Sequence, residues 1–146
     1  MKTNDFQKEW NKIFASYGAD IILGSHPHVL QSMEKREVTM PDGTKKQGFV
    51  IYSLGNFVSG QVKANTKQSV ILNIKLTKSG KTNAINIDSV DYTPIYTFKG
   101  NRYRILDINN VLEKYNNGDT TYSAGTISTL KTELQQIKSR VGEPIK

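Results

Sequence analysis

The feature that most constrains this chain is the short apolar run Asp20-Ile21-Ile22-Leu23, set between Gly18 and Gly24. A run of that length, rich in β-branched residues and bounded by glycine, reads as a buried strand. It follows a segment with a different period. Phe6, Trp10, Ile13, Phe14 and Tyr17 recur at helical spacing, which predicts a helix over residues 4–17. Asn4 suits the N-cap, Gln7 completes a capping box, and Gly18 is placed to stop the helix. The aromatic stripe is expected to pack onto the strand that follows. Helix, turn and buried strand make an α/β unit, and such folds place ligands beyond the carboxyl ends of strands.

At that strand end stands Gly24-Ser25-His26-Pro27-His28-Val29, which holds both histidines of the chain. Pro27 fixes its own φ and biases His26 away from helical geometry, so the loop is stiff. Two imidazoles one residue apart on such a loop can converge on one point, and imidazole is the commonest metal ligand among side chains. The plainer reading is a pair of ordinary, hydrogen-bonded surface histidines. Zinc sites take three or four protein ligands and harder metals take more oxygen. The chain contains no cysteine, so further ligands would have to be Asp, Glu, Asn or backbone. The pair alone is half a site.

Beyond the loop, Pro41-Asp42-Gly43-Thr44 is a turn signal, and residues 32–54 are expected to form a β-hairpin. The hairpin would return Gly55-Asn56-Phe57 toward the histidines. Asn56 is then a ligand, a partner that orients an imidazole, or a turn residue. Residues 59–67 lack periodicity and predict a mobile loop. Val70, Leu72, Ile74 and Leu76 alternate with polar residues as a half-buried strand. Its partner carries Ile85 and Ile87 in one phase and Val90 and Tyr92 in the other, which predicts a bulge near Asp88-Ser89. Pro94 is expected to end regular pairing or mark an edge. Tyr92, Tyr96, Phe98 and Tyr103 with Arg102 and Arg104 form an aromatic-basic cluster, read as a sheet face with snorkelling arginines. A short strand over 103–108 leads to a brief helix capped by Asn109 or Asn110. A last helix, about 126–141, carries Ile127, Leu130, Leu134, Ile137 and Val141 on one stripe.

Two stretches, Gly18 to Gln31 and Ile51-Tyr52-Ser53-Leu54-Gly55-Asn56-Phe57, resemble the C-terminal signature of the CapA-type capsule (poly-γ-glutamate) biosynthesis family. Val90 to Tyr96 and Tyr103 to Leu106 look like that family's tail. The resemblance covers most of residues 6–108 and implies a calcineurin-like metallophosphoesterase fold. It implies that His26 and His28 bind metal in a two-metal centre, with Ser25 and Asn56 in support. The family's earlier blocks, which bring Asp, Asn and a further His, have no counterpart here. The expectation is therefore a single domain over 1–146, the C-terminal segment of a longer protein or a shortened relative, inactive alone. Its partner would be the missing N-terminal portion or another subunit, and divalent metal would bind in the complete parent site. The expected architecture is α/β: a helix-strand unit, then a mostly antiparallel sheet and a C-terminal helix, together half of a metallophosphoesterase-like sandwich.

Composition narrows the alternatives. A length of 146 residues supports a real core, and hydrophobic and charged shares of 36% and 23% suit a polar globular segment rather than a disordered one. No run of about 18 apolar residues and no signal-like N-terminus is present, so the envelope location implied for the parent family has no anchor here. The formal charge of +7 invites a nucleic-acid reading, but the basic residues are scattered and no binding motif accompanies them. Specific nucleic-acid binding is not expected. An anionic envelope polymer or its precursors would suit the same charge. A non-catalytic envelope binding or assembly module is the alternative function, ahead of a basic nucleic-acid-binding domain.

Overall fold

In the computed structural model, which describes residues 2–82 and 85–145, helices and two three-stranded sheets alternate as an α/β chain. Helix α1 (Asp5–Ser16) leads into β1 (Ile21–Leu23), and β2 (Met33–Thr39) and β3 (Lys45–Ile51) form the expected hairpin. β1 lies parallel to β3, which is central in the order β1-β3-β2. The second sheet is antiparallel, with β5 (Ile85–Lys99) between β4 (Gln68–Lys78) and β6 (Tyr103–Asp107). Helices α2 (Ile108–Asn116) and α3 (Ala124–Val141) follow. The mixture of one parallel pair with antiparallel ladders matches the predicted architecture.

Local chemistry explains most element ends. Asn4 and Gln7 exchange both bonds of a capping box at the start of α1. Gly43, at a φ of 82°, lets the hairpin turn. The register of β4 on β5 passes from Lys75↔Ser89 to Leu76↔Ile87, so Asp88 is the extra residue of the predicted bulge. Pro94 does not end pairing: it stands opposite Val70, and the β6 ladder begins one residue later at Ile95. The cap of α2 is Asp107, whose carboxylate accepts from the Asn110 N–H, rather than Asn109 or Asn110. Strand and helix abut there without a loop, so the strand's last residue is also the cap.

The core joins both sheets to the C-terminal helices. Phe49, Ile51 and Leu30 from the first sheet's side meet Val70, Val90 and Leu106 from the second, with Ile108, Leu130, Ile137 and Val141 closing over them. Ile127, Leu130, Ile137 and Val141 are buried as the stripe of α3 requires. Each such side chain contributes about 1.5–3 kcal/mol on burial. The predicted aromatic-basic cluster is dispersed by the sheet. Tyr96 is buried, Phe98 packs edge-on against Tyr122, and Tyr92 donates its hydroxyl to the Gly142 carbonyl.

Helix α1 corrects the sequence reading. Its buried residues are Asn11 and Ala15, while Phe6, Trp10, Ile13, Phe14 and Tyr17 are all exposed. The polar face turns inward because it has partners there. Gln7 Nε2 donates to Gln31 Oε1 at 2.7 Å, and Arg36 donates to the Asn11 carbonyl at 2.7 Å. The buried Gln31 amide costs little with such a partner, whereas the Asn11 Oδ1 is buried without one, at a cost of about 1–3 kcal/mol.

Candidate functional site

The histidine loop is an excursion clasped at both ends by one residue. The Leu54 N–H donates to the Gly24 carbonyl at 2.8 Å, and Leu54 also forms an antiparallel bridge with Leu30. The Gly24 N–H in turn donates to the Ile51 carbonyl at 2.8 Å. Only glycine fits at position 24, since a Cβ there would lie 2.1 Å from the Tyr52 carbonyl oxygen. The chain then continues through Gly55, at a φ of 75°, into a bridge with Ser69. A single extended stretch, 51–55, therefore fastens β1, the loop and the second sheet together.

Within the loop the Ser25 carbonyl accepts the His28 N–H at 3.3 Å. Ser25 thus supports the loop through its backbone. His28 sits in the left-handed region at a φ of 58°, where a non-glycine residue is uncommon. Asn56 holds it there. Its Nδ2 donates to the carbonyls of His28 (3.3 Å) and Thr66 (3.0 Å), and its Oδ1 lies 2.7 Å from the Nδ1 of His28. Because Nδ2 is committed to two carbonyls, Oδ1 can only accept. Nδ1 of His28 therefore carries the hydrogen, and in the neutral ring Nε2 presents its lone pair outward.

His26 is exposed, with its ring centroid 6.4 Å from that of His28 and a tilt of 47°. The two rings are neighbours without stacking. The structure brings His26, His28 and Asn56 together as the hairpin argument required, with the Asn56 side chain bonded to the His28 ring. Asp20 points elsewhere: its carboxylate pairs with Lys46 at 2.8 Å. Thr66 was not foreseen, because it acts through a backbone carbonyl that leaves no mark in the sequence.

Among the described residues no cluster of three or more His, Cys, Asp or Glu is placed to hold a metal ion. Two imidazoles fall short of the three or four protein ligands that a closed zinc site takes. One imidazole is hydrogen-bonded by the Asn56 amide and the other stands beside it.

Residues 1–61 match the family model described as bacterial capsule synthesis protein PGA_cap. This part of the chain is similar to the CapA-type capsule biosynthesis family. Capsule biosynthesis protein CapA of Bacillus anthracis is 40% identical over 79 residues, 54% of this chain and 17% of that protein. PGA biosynthesis protein CapA of Bacillus subtilis (strain 168) is 35% identical over 88 residues, 60% of this chain and 20% of that protein. The matched stretch thus spans no more than a fifth of either relative. No solved structure gives a significant match. Among the described residues no helix is long and apolar enough to cross a membrane.

Proposed function

We propose that this chain supplies the imidazole pair of a divalent-metal centre to a metallophosphoesterase-like hydrolase of capsule biosynthesis, at the cell envelope. The observation that carries the proposal is the hydrogen bond between His28 Nδ1 and Asn56 Oδ1, beside the exposed ring of His26. An outer partner that leaves one ring nitrogen free is the usual support of a metal-binding imidazole. A metal ion bound there would supply Lewis acidity and a hydroxide from bound water. The chain's own contribution is narrower. His26 and His28 would bind the ion, Asn56 and the loop backbone would orient His28, and Leu54 would hold the loop closed. The acidic ligands would come from another segment of a CapA-type protein. The two relatives, named for capsule and PGA biosynthesis, make poly-γ-glutamate, its precursors or a related anionic polymer the substrate class proposed here. The +7 charge of the chain favours such a partner electrostatically.

A non-catalytic assembly role is the second reading, favoured by the lack of a third ligand group among the described residues. Calorimetric titration with zinc and with manganese, alongside turnover of a generic phosphodiester, separates the two. The first reading expects weak zinc binding by the chain, no turnover, and loss of binding in both His26→Ala and His28→Ala. Zinc binding untouched by both substitutions, or none at all, leaves the assembly role.

A further inference from the structure

Helix α1 and β2 flank a cavity of about 610 Å³ that shares no lining residue with the histidine loop. Part of its wall is apolar: Ala15, Val38 and Tyr52 are buried there, and Ile13 stands beside them. Its acids are already engaged. Glu37 pairs with Lys45 at 2.8 Å, and Glu34 accepts the Tyr52 hydroxyl at 2.7 Å. A cavity of this size, with apolar walls and a few placed polar groups, is of the kind that takes a small molecule.

Thr3, Lys8 and Ser32 line this cavity and also a second recess of about 330 Å³, so the two adjoin. The recess is basic. Lys2 reaches it from the N-terminal stretch, Lys8 from α1 and Arg140 from α3, and no Asp or Glu lines it. The N-terminal stretch is seated by two bonds. Gln31 donates its Nε2–H to the Lys2 carbonyl at 3.2 Å, and the hydroxyls of Thr3 and Ser32 lie 3.1 Å apart. Only one of those hydroxyls donates to the other, so one hydrogen is left for an outside acceptor. Arg140 donates from Nη1 to Gln68 at 2.6 Å and keeps its other donors. Among the described residues no ion pair engages Lys2 or Arg140. Lys8 meets Asp5 at 3.7 Å in an exposed pair, which is weak.

We propose that the recess and the cavity form one site for a single-chain amphiphile, a phosphate monoester with an apolar tail. The head belongs in the recess. Lys2, Lys8 and Arg140 converge there with a free hydroxyl hydrogen and no opposing acid. A phosphate monoester answers them with nearly two negative charges and three acceptor oxygens, whereas a carboxylate has one charge and two oxygens. Guanidinium and ammonium groups are both established phosphate binders. The tail belongs in the cavity, along Ile13, Ala15 and Val38, where it takes apolar surface out of water. Inorganic phosphate leaves that cavity unfilled, and an uncharged chain leaves the basic recess unanswered. The site uses none of the residues proposed to bind metal, so it stands or falls apart from them.

The test is calorimetric titration of the chain with decyl phosphate below its micelle concentration, beside inorganic phosphate, decanol and decanoate. The expected result is one decyl phosphate per chain, bound at least about tenfold more tightly than any of the other three. Lys2→Gln and Lys8→Gln each remove one charge-assisted contact and should each weaken decyl phosphate about tenfold. Ile13→Asn should weaken decyl phosphate and leave inorganic phosphate unchanged. All three side chains are exposed, so the variants should keep the circular dichroism of the unsubstituted chain. His26→Ala should bind decyl phosphate as the unsubstituted chain does. Amide NMR should place the largest shifts at Thr3, Ala15 and Ser32. Absence of binding, binding without saturation, or binding indifferent to all three substitutions overturns the proposal. So does a comparator that binds as tightly, or dependence on His26. Vesicles of phosphatidic acid test the other source of the same headgroup. Capture by these vesicles without binding of decyl phosphate would mean that a bilayer surface is recognised, and would overturn the single-chain ligand.

Discussion

His28 Nδ1 donates to Asn56 Oδ1 at 2.7 Å across a sequence gap of 28 residues. The bond depends on the hairpin, which carries Asn56 back to the loop it left. Asn56 holds ring and backbone of the same histidine at once, so its removal releases both the tautomer and the left-handed φ. In Asn56→Ala, zinc affinity is expected to fall by about 10–100-fold, the usual cost of losing an outer partner. Long-range proton–nitrogen NMR of the imidazole provides an independent readout. The unsubstituted chain should show Nδ1 as the protonated nitrogen, and Asn56→Ala a mixture of tautomers. A fixed Nδ1 tautomer in both would mean that Asn56 does not orient the ring.

The glycines that frame the loop make a prediction about stability. A Cβ at Gly55 would lie 2.7 Å from the Gln68 carbonyl oxygen and 3.1 Å from the Leu30 nitrogen, at a φ of 75°. Backbone cannot give way as a side-chain end can. Gly55→Ala and Gly24→Ala are each expected to destabilise by at least about 1–3 kcal/mol. Gly80→Ala, where a Cβ meets nothing within 4 Å, is the control and should stay within about 0.5 kcal/mol. Urea denaturation of the three variants measures the difference. Equal midpoints would show that the junction at 51–55 is not the tight crossing described.

Much of this arrangement was legible in the residues themselves. The capping box of α1, the hairpin turn at Pro41–Thr44 and the extra residue at Asp88 each rest on chemistry confined to a few neighbouring positions. The meeting of Asn56 with His28 was legible because a hairpin of known length returns the chain to its start. The face of α1 was not. An apolar stripe is ordinarily the buried one, but here the Gln7 side chain and the Asn11 backbone carbonyl find partners in Gln31 and Arg36, residues distant in sequence. Nothing local announces those pairings. The Asp107 cap was hidden by a strand that runs into its helix without a break, and Thr66 serves through a carbonyl that every residue possesses.

Tyr52 carries a pH signature. Burial, then the hydrogen bond its hydroxyl donates to Glu34 at 2.7 Å, push its phenol up to about 12 from an ordinary 10.0. The folded state thus holds the proton more tightly than the unfolded chain. Its contribution to stability is complete below the unfolded value near 10 and is lost as pH rises through about 12. Tyr52→Phe removes the titrating group, so the variant should lose less stability than the unsubstituted chain between those two values. Thermal unfolding at a series of alkaline pH values measures both slopes. Parallel slopes would place the alkaline sensitivity in other tyrosines.

The second sheet is fastened to α3 by a buried amide rather than by apolar packing alone. Gln68 is 1% exposed. Its Nε2 donates to Glu133 and to the Gln136 side chain at 2.7 Å, and its Oε1 accepts from Arg140 at 2.6 Å. These contacts stand near the point where β4 leaves the junction that carries Asn56, so loosening them should be felt at the loop. Gln68→Ala leaves a carboxylate and a guanidinium without their shared partner and is expected to cost about 1–3 kcal/mol. Arg140→Met removes one donor and keeps the apolar stem, so it should cost less. Hydrogen exchange decides whether the effect is local. Gln68→Ala should speed exchange in α3 and at the Gly55–Ser69 bridge together, because one side chain holds the helix to the strand that forms that bridge. Faster exchange in α3 alone would confine the amide's role to the helix and uncouple it from the histidine loop.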